Sequence, residues 1–150
     1  MTGVISMKNK EGRDAGQSLL EFALVLPILL LILVGILNFG EILTATSMVQ
    51  QVNRDAARYA SVGHTNVVSY TDDELNSDDY LKLVKCKTGS SCPTPNPAVS
   101  VTPSPGSNGW ASGTQITLNI DFYLSLWAPI VSFVLGNPYH IHTSVTMLAE

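Results

Sequence analysis

With 150 residues the chain has room for one domain and little more, and 45% apolar against 13% charged side chains supply enough material for a core. The formal charge of −4 is unevenly placed: residues 1–16 carry Lys8, Lys10 and Arg13 against Glu11 and Asp14, while the rest is acidic on balance. An acidic main body presents no basic face to nucleic acid or anionic lipid, so nucleic-acid binding is excluded as the expected role.

The first element in chain order is apolar. Phe22 to Leu37 run without a single charged or polar side chain. At about 1.5 Å per residue that run spans roughly 24 Å, and Leu19 to Glu21 before it and the stretch to Leu43 after it bring it to membrane-spanning length. The small pair Ala15-Gly16 precedes the apolar run, whereas in a secretory signal peptide the small residues follow it. A cut at that point would leave the helix attached to the mature chain. Lys8, Lys10 and Arg13 favour keeping the amino end in the cytoplasm, with Arg54 and Arg58 competing on the far side.

Glu21 interrupts the apolar character near its start, where a carboxylate at membrane depth costs roughly 2.5–3.5 kcal/mol. "SLLE" reads as a capping box, with Ser18 capping a helix whose dipole favours the glutamate. That reading accounts for an acidic first turn. It does not account for Gly16 five residues earlier, or for the basic segment before it.

Beyond the apolar run, Ile42, Ala45, Val49, Val52, Ala56 and Tyr59 recur at helical spacing, so the helix continues, amphipathic, from Ser18 to Val62. Gln50, Gln51, Asn53, Arg54 and Arg58 are expected on its polar side, and Gly63 is a natural stop. The stripe is too short for a coiled coil and is expected to pack on the chain's own domain. Pro27 is a place for the helix to bend. Residues 64–92 are polar and acidic, with a short helix in "SDDYLKLVK" capped by Ser77. Cys86 and Cys92 flank a Gly/Ser loop and are expected to form a disulfide outside the cytoplasm.

The Pro-rich stretch that follows reads as loop around one edge strand, Ala98 to Val101. In "QITLNIDFYL" the residues Ile116, Leu118, Ile120, Phe122 and Leu124 alternate with polar ones, as a half-buried strand requires. A second strand, "YHIHTSVTML", places Tyr139, Ile141, Val145 and Met147 on one side. The linking "SLWAPIVSFVLGNP" is apolar for a loop; it either caps the sheet or presents Trp127, Ile130 and Phe133 to a partner.

Nothing in the chain has the spacing of a nucleophile elbow, a zinc-protease helix, a phosphate loop or a dinucleotide fingerprint, so neither catalysis nor a cofactor is expected. His140 and His142 share one face of a strand, a spacing a metal can use if a third ligand comes from elsewhere; they are read as solvated polar residues, with no metal. The acidic run "TDDELNSDD" lacks the glycine turn of a calcium loop.

Together, "GQSLLEF" resembles the processing site of type IV pilin-like precursors, cut after a glycine with glutamate five residues beyond; Gly16, Gln17, Glu21 and Phe22 hold those positions. "GQSLLEFALVLPILLLILVGILNFG" followed by "QQVNRDAARYASVG" is similar to the TadE-like family of minor pilins, or pseudopilins, of the tight-adherence (Tad) class. The resemblance implies an α+β, type IV pilin-like fold: one long N-terminal helix, membrane-spanning and then amphipathic, packed on a small antiparallel β-sheet head. It further implies a cleaved leader (1–16), a helix (17–63) and an exported head (64–150). The implied location is the bacterial inner membrane, with the N-terminus cytoplasmic. Gln17, Glu21 and Pro27 would serve subunit assembly. Implied partners are a prepilin peptidase, a major pilin, a sister pseudopilin and the inner-membrane assembly platform. The competing reading is an uncleaved, signal-anchored protein that binds a ligand or surface through Trp127 and Phe133.

Overall fold

The computed structural model describes residues 11–86 and 92–150, with side chains from Gly16 onward except that of Ile130. The described elements are α1 (Glu11–Ser61), α2 (Val67–Ser77), α3 (Asp79–Val84), β1 (Ala98–Thr102), β2 (Gln115–Leu124), α4 (Pro129–Leu135) and β3 (Tyr139–Leu148). The fold is α+β. The chain divides into two compact units, the first ending at Leu37 and the second running from Asn38 to Glu150.

In the first unit α1 is already helical at Glu11, seven positions before the expected start at Ser18. Ser18 therefore lies in the helix interior, and the expected capping box does not form here. Extending an existing helix fixes one residue per new hydrogen bond, so upstream propagation is far easier than nucleation. The helix also passes through Pro27 without interruption. Most of the large apolar side chains from Leu19 to Leu37 are 49–71% exposed, with Leu26 and Val34 partly covered. They meet no core of this unit, and the helix is long and apolar enough to be a candidate membrane span.

The second unit is built around a three-stranded antiparallel sheet in the order β1-β2-β3. β2 is central because it pairs on both sides, Val99 with Ile120 along one edge and Ile116 with Met147 along the other. Its alternation is complete: Ile116, Leu118, Ile120, Phe122 and Leu124 are at most 1% exposed. Over one end of this face lie Ile42, Ala45 and Val49 of α1, Leu75 of α2, Leu81 and Val84 of α3, and Leu126. Over the other lie Ala56, Ala57 and Ala60 of α1 with Val67 of α2 and Ala149. At this end the helix contributes only the small side chains of its alanines to the buried cluster.

Asn53 departs from the expected pattern. It falls four residues after Val49 and so on the packed face, fully buried, not among the polar residues of the far side. Its Nδ2 donates to Oγ1 of Thr143, 3.1 Å away on β3, which pairs two buried polar groups inside an otherwise apolar contact. The helix then ends at Ser61, and Gly63, at φ +97°, turns the chain while its N–H donates to the Ala60 carbonyl at 2.9 Å.

The acidic stretch holds two helices where one was expected. Asp78, not Ser77, is the cap of α3: its Oδ1 accepts from the backbone N–H groups of Tyr80 and Leu81, each at 2.9 Å. Ser77 instead closes α2, donating to the Glu74 carbonyl. Val67, Thr71 and Leu75 recur at four-residue steps and are the buried side of α2, a stripe too short to stand out among polar neighbours.

Candidate functional site

Three groups of residues are candidates for a functional site. The first is the turn of α1 from Gly16 to Phe22. Gly16 has open space around it, and all seven residues are exposed. Gln17 and Glu21 lie one helical turn apart, and the Gln17 Nε2 donates to Glu21 Oε1 at 3.4 Å. The backbone nitrogen of Gln17, where a cut after Gly16 would free an amine, therefore belongs to the turn that carries the Glu21 carboxylate. Pro27 lies about a turn and a half further along the same helix.

The second group is in the head. Cys86 and Cys92 are joined by a disulfide with their Cα atoms 6.1 Å apart. The Cys86 N–H donates to the Tyr123 carbonyl, and Asn96 bonds both Tyr123 and Cys86, so the bridge is tied to the end of β2. The segment after β2 divides residue by residue between the two expected roles. Leu126 and Ala128 are buried, Leu126 within the core under β2, and Val131 packs against it. Trp127 is 60% exposed and Phe133 91% exposed, with Val134 beside it also exposed. The side chain of Ile130 lies outside the described residues. The Trp127 side chain lies beside the Glu41 carboxylate of α1, and Tyr80 donates to the Glu41 carbonyl at 3.2 Å. The segment therefore caps the sheet with one set of residues and presents an apolar surface with the other.

The third group lies on the sheet face turned away from the core. His140 and His142 share that face of β3, and Asp121 of β2 stands directly opposite His142. The Asp121 Oδ1 is 2.7 Å from His140 Nε2 and 2.8 Å from His142 Nδ1. The Tyr123 ring stacks on His140 with centroids 4.6 Å apart and planes 12° from parallel. Partial burial pushes the Asp121 carboxyl up, but the hydrogen bonds and positive charge of the two histidines outweigh it and hold the group below its ordinary value. Sequence reasoning found the histidine pair and missed the aspartate. Asp121 occupies a polar slot of the alternating strand, but which residue it faces depends on register, which no local pattern states.

Residues 16–58 match the family model described as TadE-like protein. This TadE-like region takes in Gly16, Gln17, Glu21, Phe22, Pro27 and most of the amphipathic half of α1. No curated protein and no solved structure matches the chain.

Proposed function

We propose that this chain, TadE-like over residues 16–58, is a minor pilin of a Tad-type pilus, held in the inner membrane by α1 and cut after Gly16 by a prepilin peptidase. The observation that carries the reading is the coincidence of the family match with Gly16 and Glu21, five residues apart at the amino-terminal margin of a membrane-length apolar helix. The amphipathic continuation of that helix on a disulfide-bearing head supports it. On this reading the head lies outside the cytoplasm, and the protein works by assembly, with no catalytic step of its own. Its partners are the peptidase, the major pilin, a sister pseudopilin and the membrane platform.

Cleavage would leave an α-amino group on Gln17. In the assembled pilus that amine pairs with the Glu21 carboxylate of a neighbouring subunit, and the charge on each relieves the burial of the other. Removing one partner leaves a buried ion uncompensated, at a cost of roughly 3–5 kcal/mol. Glu21→Gln is therefore expected to insert and be processed but fail to support piliation. Ser18→Ala, which touches a residue inside the helix and not the ion pair, keeps most function. Intact mass of the membrane-extracted protein gives the cut, and pilus counts in a complemented deletion strain give assembly. A wild-type chain that keeps Met1 to Gly16 while the peptidase is present would point instead to an uncleaved anchored protein. Exposed Trp127 and Phe133 are the observation that favours that second reading, as the surface with which such a protein would capture its target.

A further inference from the structure

We propose that Asp121, His140 and His142 form a binding site for one divalent transition ion of the zinc class on the outer face of the head's sheet. The donor set is two imidazole nitrogens and one carboxylate oxygen, and the three ligand atoms lie within 4.8 Å of one another. Nitrogen donors select zinc and its neighbours over calcium and magnesium, which take oxygen.

Convergence is the central observation. Both imidazoles aim at the same carboxylate oxygen, at 2.7 and 2.8 Å, from opposite ends of their rings: Nε2 for His140 and Nδ1 for His142. Two rings that served only as surface ion pairs would be free to take one oxygen each or to turn to water. A zinc ion about 2.0–2.2 Å from each ligand sets neighbouring ligand atoms about 3.4 Å apart in a tetrahedral site. The two nitrogen–oxygen distances need open by only about 0.6 Å, which small side-chain rotations supply.

The protons also have somewhere to go. In the metal-free arrangement a ring protonated at the nitrogen that faces Asp121 donates that N–H to it. On metal binding the lone pair at that nitrogen is used, and the ring takes up the tautomer protonated at its other nitrogen. Both side chains are about half exposed, at 46% and 54%, so water can accept that outer N–H.

The ligands are also held in place beforehand. All three stand on paired strands, with the His142–Asp121 register fixed by the ladder and the His140 ring clamped against Tyr123. Three protein ligands leave a fourth position for water or for a ligand from another molecule.

The test uses the full chain in detergent micelles, with any affinity tag removed and adventitious metal stripped by chelator. ZnCl2 is titrated by calorimetry, and cobalt(II) by its visible absorption. Wild type and His64→Ala, which alters the third histidine only, are expected to bind one equivalent. His140→Ala, His142→Ala and Asp121→Asn are each expected to weaken binding by at least about tenfold, the lower end of what loss of even an outer partner costs. Near-UV circular dichroism of each metal-free variant separates loss of ligand from loss of fold. Affinity unchanged across the three well-folded variants overturns the proposal. So does the absence of saturable binding by wild type below about 100 µM, a standard free energy of roughly −5.5 kcal/mol.

Discussion

Leu29, Leu31 and Ile32 of α1 and Leu118, Ile120 and Leu124 of β2 are the same kinds of side chain with opposite fates. The first three are 51–56% exposed and the second three fully buried. Apolar content does not separate the two regions; its arrangement does. In β2 every second residue is apolar, so one face can be covered by the chain itself while the other stays polar. In the stretch before Asn38 the helix is apolar all round, a pattern that no single packed face satisfies and that fits a hydrocarbon surrounding. The boundary is sharp, because by Ile42 the same helix carries a one-sided stripe and buries it.

The comparison is tested most strongly by deleting one large side chain from each region. Phe122 is fully buried among Val49, Leu81 and Leu124, so Phe122→Ala is expected to remove about 3–5 kcal/mol from the unfolding free energy of the head. Leu29→Ala, in the first unit, is expected to leave it within about 0.5 kcal/mol. Urea titrations of the micelle-bound chain, followed by near-UV circular dichroism, measure both. A Leu29→Ala loss comparable to that of Phe122→Ala would mean that the apolar helix is part of the head's core after all.

A smaller effect probes how polar groups enter the packed region. Removing either member of the Asn53–Thr143 pair leaves the other buried without its partner, so Asn53→Ala and Thr143→Val are each expected to cost about 1–3 kcal/mol. The double variant should cost less than the sum, by about 1 kcal/mol of coupling. Strict additivity in the urea midpoints would show that the 3.1 Å contact contributes nothing to stability.

These residues also mark what was legible in the sequence. β2 and β3 were readable to their ends because alternation is local, and the stripe from Ile42 to Tyr59 was readable because helical spacing is local too. Asn53 was misplaced because residue type argued for the surface, whereas its position on the helix and a hydroxyl 90 residues away decided for the core. Helix α2 escaped notice since only Val67, Thr71 and Leu75 are buried in it. The cap at Asp78 was assigned to its neighbour because two adjacent residues both favour that position. Gly16, Glu21 and the histidine pair were legible as motifs. Asp121 was not, since it joins the histidines only through strand register.

The smallest expected effect concerns a charge at the edge of the head's core. Burial pushes the Asp72 carboxyl above its ordinary value; attraction to Lys85 works against this and repulsion from Asp73 adds to it. One of its oxygens is buried without a hydrogen-bond partner among the described groups. Burial likewise pulls Lys85 down, with Asp72 partly restoring it. Because the folded-state value of Asp72 lies above the unfolded one, its contribution to stability is fully present below the ordinary aspartate range near pH 4 and is lost as pH rises through the raised value. Ionised Asp72 therefore weakens the head at neutral pH. Asp72→Asn should melt higher than wild type at pH 7, by under about 3 °C for a group this close to solvent, and the gap should close toward pH 4. Thermal melts at half-unit pH steps measure the gap. A variant that melts lower than wild type at pH 7 would mean that attraction to Lys85 outweighs the burial of the carboxylate.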